Sequence, residues 1–151
     1  MTADSRVLVV DDSEESRQIL SEILRTKGYT VNTAPDGESA WTLLQQSRFS
    51  YELVITDLMM PWMSGVELLR KIRADSPWIN VVLLTGHLDH EVTLRAQRLG
   101  AFAVLSKPCD IAKLEGIVER ALLKSALAKG GDSHEKVSSR CDGPSDFYHD
   151  L

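Results

Sequence analysis

Short apolar runs alternate with segments of helical periodicity through most of the chain. Val7–Val10, Leu53–Ile55 and Val81–Leu84 are uniformly apolar, which is typical of strands buried on both faces of a sheet. Between such runs apolar residues recur at helical spacing, as Leu20 and Leu24 do after the first run. This alternation favours an α/β fold whose parallel sheet is covered on both sides.

The pattern predicts five βα units, a (βα)5 arrangement of the doubly wound class. The strands are predicted at Arg6–Val10, Tyr29–Ala34, Leu53–Thr56, Ile79–Leu84 and Ala101–Ser106. The helices are predicted at Glu14–Lys27, Glu38–Gln46, Ser64–Arg73, Asp89–Gly100 and from Asp110 to about Ala128. Ser64 and Glu67 have the spacing of a capping box at the start of the third helix. We therefore expect one domain over residues 1–128.

Four of the predicted strands end in a reactive polar residue. Asp11 and Asp12 follow the first strand, Asp57 the third, Thr85 the fourth and Lys107 the fifth. The carboxyl ends of parallel strands meet at one edge of the sheet, where ligands bind in open α/β folds. We therefore expect three carboxylates, a hydroxyl and an ammonium to lie together at this edge.

Such a set of side chains suits phosphoryl transfer. Three neighbouring carboxylates repel one another, and a hard cation with oxygen ligands, such as Mg²⁺, relieves that repulsion. One carboxylate can then attack phosphorus and form an aspartyl-phosphate. An ammonium and a hydroxyl are suitable stabilisers of the charge that develops on the transferring group.

The motifs at these strand ends resemble the receiver domain of bacterial two-component response regulators. The resemblance runs from about Arg6 to Leu123 and rests on four segments in the family's order: Leu8-Val9-Val10-Asp11-Asp12, Asp57-Leu58-Met59-Met60-Pro61-Trp62-Met63-Ser64-Gly65, Leu84-Thr85-Gly86 and Lys107-Pro108. It implies a flavodoxin-like receiver fold with the strand order 2-1-3-4-5. The chain resembles a stand-alone receiver or one excised from a longer protein.

The resemblance also implies a role for each carboxylate. Asp57 matches the phosphoryl acceptor and a metal ligand, and Asp12 matches the acid that binds the metal directly. Asp11 would support the metal through water, and the backbone carbonyl of Met59 would be the remaining protein ligand. The implied metal is Mg²⁺, with Mn²⁺ as a substitute.

The remaining implied roles concern the phosphoryl group and the partners. Thr85 matches the hydroxyl that closes on the phosphoryl group, and Lys107 the lysine that pairs with its oxygens, followed by a cis bond to Pro108. The donor would be a phosphohistidine on a sensor histidine kinase or a phosphotransfer protein. A downstream protein or a second copy would bind the surface of the fourth helix, fifth strand and fifth helix. Such a protein is not an enzyme beyond its own phosphorylation and dephosphorylation.

One position departs from the family. Three residues before the lysine the family has Tyr or Phe, whose rotation reports phosphorylation, and this chain has Val104. Phe102 lies two residues earlier, on the same side of the predicted strand if alternation holds. We therefore expect weaker coupling between the site and the output surface, or coupling through Phe102 and loop motion.

Composition narrows the functional class further. The chain has 151 residues, of which 43% are hydrophobic and 26% charged, and this suits one globular domain. The net charge of −5 argues against direct nucleic-acid binding. No apolar run approaches the ~20 residues of a membrane span, and no signal-peptide pattern is visible. The two cysteines, Cys109 and Cys141, are not expected to pair, so we expect a cytoplasmic protein without membrane insertion.

Other functions of a similar fold fit the sequence less well. A flavin phosphate would be repelled by Asp11 and Asp12, and neither GxxxxGK[ST] nor GxGxxG occurs. An aspartyl-phosphate phosphatase would need a second acid two residues after Asp57, where the chain has Met59. The alternative that stays open is an interaction module of receiver fold that works without phosphorylation.

The composition changes after Ala128, and residues 129–151 are predicted to be a flexible tail that fold and chemistry do not need. Its few apolar groups are Val137, Phe147, Tyr148 and Leu151. These do not offset the cost of ordering the backbone, roughly 1–2 kcal/mol per residue. A chain that ends at Lys129 should melt at the temperature of the full chain in calorimetry and accept phosphate equally well. A clear fall in melting temperature would show instead that Phe147 or Tyr148 docks on the domain.

Overall fold

The structure is a computed structural model, and it describes residues 5–48, 50–60, 63–86, 89–108 and 110–130. Its strands are β1 (Arg6–Val10), β2 (Thr30–Ala34), β3 (Leu53–Asp57), β4 (Asn80–Thr85) and β5 (Ala103–Ser106). Its helices are α1 (Glu14–Thr26), α2 (Gly37–Gln46), α3 (Gly65–Asp75), α4 (His90–Leu99) and α5 (Ile111–Gly130). The predicted (βα)5 order is confirmed. Cys109 and the tail from residue 131 onward lie outside the described residues.

The five strands form one parallel sheet in the order β2-β1-β3-β4-β5, as the resemblance implied. β1 pairs with β3 so that Val10 lies beside Thr56, which brings the next residues, Asp11 and Asp57, level with each other. β4 pairs with β5 so that Thr85 lies beside Ser106. The strand register therefore places the polar residues that follow these strands at one edge of the sheet.

Helices cover both faces of the sheet and bury its apolar side chains. On one face Leu8, Val54 and Leu83 pack with α2, α3 and α4. On the other face Val9 and Ile55 pack with α1 and α5. These strand residues are fully buried, and each such side chain contributes about 1.5–3 kcal/mol. The edge that carries the polar residues therefore rests on a rigid support.

Hydrogen bonds at the helix ends fix the loops at this edge. The side chains of Ser13, Asp36 and Asp89 accept from backbone amides in the first turns of α1, α2 and α4. The capping box predicted for α3 is present, because Ser64 and Glu67 each accept from the other's backbone amide. Within the described ranges, none of the helices has the length and hydropathy to cross a membrane.

The prediction that Phe102 shares a side of the strand with Val104 is wrong. Val104 packs in the core cluster that includes Ala96 of α4, whereas Phe102 packs in the cluster on the opposite face. There its ring centroid lies 5.6 Å from Nζ of Lys124 on α5. β5 begins only at Ala103, and the chain bends at Phe102, so strand alternation does not extend back to that residue.

Gly65 lies where the chain passes closest to the strand end that carries Asp57. A Cβ at residue 65 would overlap the backbone carbonyl oxygen of Asp57 and lie 3.0 Å from the Cα of Leu58. Backbone atoms held in a sheet cannot rotate away as a flexible side chain can. Gly65→Ala should therefore lower the free energy of unfolding by about 1–3 kcal/mol, the usual cost of overpacking. Urea titration followed by circular dichroism measures this change.

Gly116→Ala is the matched control for this prediction. A Cβ at residue 116 of α5 meets nothing within 4 Å. Alanine is a better helix former than glycine by about 1 kcal/mol, so this variant should be as stable as the wild type or more stable. Equal stability of Gly65→Ala and the wild type would show that the loop moves freely to admit a methyl group.

Candidate functional site

Three carboxylates come together at the edge formed by the ends of β1 and β3. Oxygen atoms of Asp11, Asp12 and Asp57 all lie within 4.8 Å of one another. Asp11 is 1% and Asp57 8% exposed, whereas Asp12 is exposed. The strand-end argument predicts this cluster, and the structure brings the three side chains into it.

Lys107 reaches the cluster from the end of β5. Its Nζ donates to Oδ2 of Asp11 at 2.9 Å and to Oδ2 of Asp57 at 3.2 Å. Its backbone amide donates to the carbonyl oxygen of Thr85 at 2.8 Å, which holds the residue against β4. The bond between Lys107 and Pro108 is cis, as the resemblance implied. One ammonium thus joins carboxylates from two different strands.

All four polar atoms of Asp11 have partners. Its amide donates to the carbonyl of Ala34 at 3.2 Å, and its Oδ1 accepts from the amide of Ser13 at 2.9 Å. Its Oδ2 accepts from Lys107, and its backbone carbonyl accepts from Nη1 of Arg17 at 2.7 Å. The contact from Arg17 is not predicted by the sequence motifs. Its only signal is the place of Arg17 one helical turn after the N-cap Ser13.

Asp57 presents a largely buried carboxylate between β1 and β4. Its Oδ1 accepts from the amide of Met59 at 3.3 Å, and its Oδ2 accepts from Lys107. Met59 is 70% exposed, whereas Leu58 and Met60 on either side of it are buried. Thr85 is buried and follows Leu84, the residue of β4 that pairs with Asp57. The residues predicted for the site therefore all lie at this edge.

The charges in the cluster shift two pKa values. Burial raises the pKa of Asp57 above 3.8, and the charge of Asp11 adds to this, while Lys107 opposes it without cancelling it. Burial alone would lower the pKa of Lys107. Its hydrogen bond with Asp11 and the charges of both carboxylates outweigh burial and raise that pKa above 10.5. Lys107 is therefore an ammonium at neutral pH, and the fold disfavours ionised Asp57.

A family of known proteins matches most of this chain. A family model for the response regulator receiver domain matches residues 7–119. The chain belongs to this family. The receiver is 33% identical to the regulatory protein AtoC of Escherichia coli, over 85% of this chain and 28% of that protein. It is 30% identical to the transcriptional regulatory protein FixJ of Bradyrhizobium diazoefficiens, over 85% of this chain and 62% of that protein.

Solved receiver structures have the same fold. A receiver domain protein from Clostridium thermocellum has a TM-score of 0.77 and 32% identity, covering 82% of this chain and 98% of its own. The chemotaxis protein CheY4 of Vibrio cholerae has a TM-score of 0.72 and 32% identity, covering 78% and 98%. The chain spans 28% of AtoC and 25% of the Arabidopsis thaliana response regulator ARR10, about a quarter of these curated relatives. The similarity therefore concerns the receiver region.

Asp57→Asn should stabilise the metal-free receiver, and more at pH 7 than at pH 4. A raised folded-state pKa means that folding disfavours the ionised carboxylate. This penalty is absent below the unfolded-state pKa of about 3.8, grows as the pH rises toward the folded-state pKa, and is complete above it. We expect the gain in melting temperature to be small at pH 4 and several degrees at pH 7, measured by calorimetry with a chelator present.

Glu15→Gln is the control, because Glu15 is an exposed carboxylate of α1 outside the cluster. Its melting temperature should stay close to that of the wild type at both pH values. A lower melting temperature for Asp57→Asn at pH 7 would show that the ion pair with Lys107 outweighs the penalty of burial.

Proposed function

We propose that this receiver is the phosphoacceptor of a two-component signalling system and that Asp57 accepts the phosphoryl group. The donor is a phosphohistidine on a sensor histidine kinase or a phosphotransfer protein. The proposal rests on the position of the Asp57 carboxylate, which accepts a hydrogen bond from Lys107 and lies within 4.8 Å of two further carboxylates. Membership of the response regulator family supports it.

The donor set at the site fits a hard divalent cation. Three carboxylates face a single ammonium there, so negative charge exceeds positive charge and a dication would offset the difference. All the available ligand atoms are oxygens, which Mg²⁺ and Mn²⁺ prefer. Asp12, Asp57 and the Met59 carbonyl would hold the ion directly, and Asp11 would hold it through water. When bound, the ion would neutralise charge on the phosphoryl oxygens.

Each side chain of the site has a separate role in transfer of the phosphoryl group. A carboxylate oxygen of Asp57 attacks phosphorus, the new O–P bond forms as the N–P bond breaks, and the electron pair leaves on the imidazole nitrogen. Lys107, already bonded to Asp57, then pairs with a phosphoryl oxygen. The hydroxyl of Thr85 donates to another. The protein thereby catalyses its own phosphorylation and dephosphorylation and no other reaction.

Phosphorylation would reach partners through the α4-β5-α5 surface, formed by His90–Leu99, Ala103–Ser106 and Ile111–Gly130. Thr85 ends β4, and its carbonyl accepts a hydrogen bond from the amide of Lys107 just after β5. Movement of one residue would therefore displace the other. A downstream protein or a second copy of the chain would read this change.

Asp57→Asn should abolish labelling by a small phosphodonor. The amide keeps the shape of the carboxylate but is not a nucleophile, so mass spectrometry should find the added phosphoryl group in the wild type only. The wild-type product should form only with Mg²⁺ and should be released by hydroxylamine, as an acyl phosphate is. Lys107→Ala should still bind metal, because the lysine acts on the phosphoryl group.

Two results would contradict this assignment. Undiminished labelling of the Asn variant would place the acceptor at another residue. Absence of labelling in the wild type, together with partner binding that a phosphodonor does not change, would favour an interaction module that works without phosphorylation.

Val104 should limit the coupling between site and output surface. The side chain is fully buried, and being β-branched it has restricted χ1 rotation. Phe102 packs on the opposite face, so loop motion is the route that remains of the two we expected. Beryllium fluoride should change self-association or partner binding of the wild type weakly and that of Val104→Tyr more strongly. Val104→Leu controls for added size without a ring. If beryllium fluoride changes binding by the wild type as strongly as binding by Val104→Tyr, the missing aromatic residue does not limit the coupling.

A further inference from the structure

Among the described residues, no hydrogen bond or ion pair fixes the direction of the Asp12 side chain. Within the described ranges, its carboxylate makes no hydrogen bond and no ion pair, and the residue is exposed. Asp11, by contrast, is held at all four of its polar atoms. The direction of the Asp12 side chain therefore depends on the backbone of the turn between β1 and α1.

Arg17 holds the backbone of this turn at the carbonyl just before Asp12 and at the carbonyl of Ser13. Its guanidinium Nη1 donates to the carbonyl oxygen of Asp11 at 2.7 Å, and that carbonyl belongs to the peptide bond that leads into Asp12. Its own backbone amide donates to the carbonyl oxygen of Ser13 at 3.0 Å. The guanidinium of Arg17 thus holds the peptide bond before Asp12, and the amide of the peptide bond after Asp12, that of Ser13, donates to Oδ1 of Asp11 at 2.9 Å. A hydrogen bond from a charged donor is among the stronger ones in proteins.

We propose that Arg17 is a positioning residue for the metal site and sets the affinity of the receiver for Mg²⁺ through the Asp11–Ser13 turn. The inference rests on the proposed function, because it concerns the cation which that function requires. A carboxylate already directed toward its cation loses less freedom on binding than one on a mobile turn. Residues that orient metal ligands typically change affinity 10–100-fold when they are replaced.

The surroundings of Arg17 allow this role to be separated from a role in packing. Arg17 is half-buried and lines an open cavity of about 180 Å³ between α1 and β2, together with Glu14, Gln18, Ser21, Arg25 and Thr33. A shorter side chain at residue 17 would enlarge an open space and leave no enclosed void in the core. Replacement should therefore act on the turn and leave the sheet intact.

Arg25 is a matched control within the same cavity. It lies two turns further along α1, and its Nη2 donates to the carbonyl oxygen of Val31 at 2.8 Å. Both arginines therefore carry one positive charge, line one cavity and bond to one backbone carbonyl. They differ in the acceptor, since Val31 belongs to β2 and not to the turn that carries Asp12.

The sign of the effect separates positioning from simple electrostatics. Removal of a positive charge near a cation site strengthens cation binding if charge alone matters. Loss of a positioning contact weakens it. Arg17→Gln removes the charge and the guanidinium fork, and Arg17→Lys keeps the charge and offers a single point donor in its place.

The experiment measures Mg²⁺ binding to the unphosphorylated full chain by calorimetry, and amide exchange of the metal-free chain by NMR. We expect Arg17→Gln to weaken Mg²⁺ binding about tenfold, Arg17→Lys to recover part of the loss, and Arg25→Gln to stay within about twofold of the wild type. In the absence of metal, the amide of Ser13, which donates to Asp11, should exchange faster in Arg17→Gln only.

Several outcomes would overturn the inference. Unchanged or tighter Mg²⁺ binding by Arg17→Gln would leave only a charge effect. An equal loss in Arg25→Gln would assign the effect to α1 as a whole. If Arg17→Gln does not fold, the test uses Arg17→Lys. Mg²⁺ binding and Ser13 amide exchange at wild-type values in Arg17→Lys would then reject the positioning role of Arg17. If the wild type binds no Mg²⁺ at all, the proposed function itself is rejected. If the wild type binds Mg²⁺ and Arg17→Gln binds it equally well, only the role of Arg17 is rejected.

Discussion

The ammonium of Lys107 holds together two carboxylates that would otherwise repel each other. Asp11 and Asp57 come from neighbouring strands and lie level because β1 and β3 pair in register. Lys107 comes from the far edge strand, β5, and reaches both at hydrogen-bond distance. The arrangement exists only when three separate strands end at the same edge, so the site depends on the whole sheet and not on any local segment.

The site carries an electrostatic cost that the apolar sheet beneath it does not. The strands beneath it are buried on both faces, whereas the cluster brings three carboxylates to a single ammonium and raises the pKa of Asp57 through burial. A cation would relieve this strain, and so would a change in the charge of Asp57.

The turn between β1 and α1 connects the buried sheet to the cluster of carboxylates. Asp11 is fixed by contacts to β2, to β5 and to α1, while Asp12 depends on the backbone around it. The helix that follows the turn therefore contributes to the site through a guanidinium as well as through its cap at Ser13. The helix that packs on the sheet therefore also holds the backbone just before Asp12.

Local and periodic features were predictable from the sequence, and two elements illustrate the reason. The capping box of Ser64 and Glu67 depends on residue types three positions apart, and it forms as predicted. The apolar runs, and the polar residues at the ends of four of the strands, depend on strand periodicity, which a buried parallel sheet imposes directly. The order of strands and helices along the chain and the gathering of polar residues at one edge follow from these features, whereas the strand order within the sheet was implied by the resemblance to receiver domains.

The tertiary structure alone decided where particular side chains go. Phe102 leaves the side predicted for it because the chain bends before β5, and its ring packs against α5 on the other face of the sheet. The bond from Arg17 to the carbonyl of Asp11 depends on the angle at which α1 leaves the turn, and the double contact of Lys107 depends on the sheet order. Sequence periodicity determines which face or edge a residue belongs to, but a contact between two side chains needs the relative position of their backbones, which only the packed sheet and helices determine.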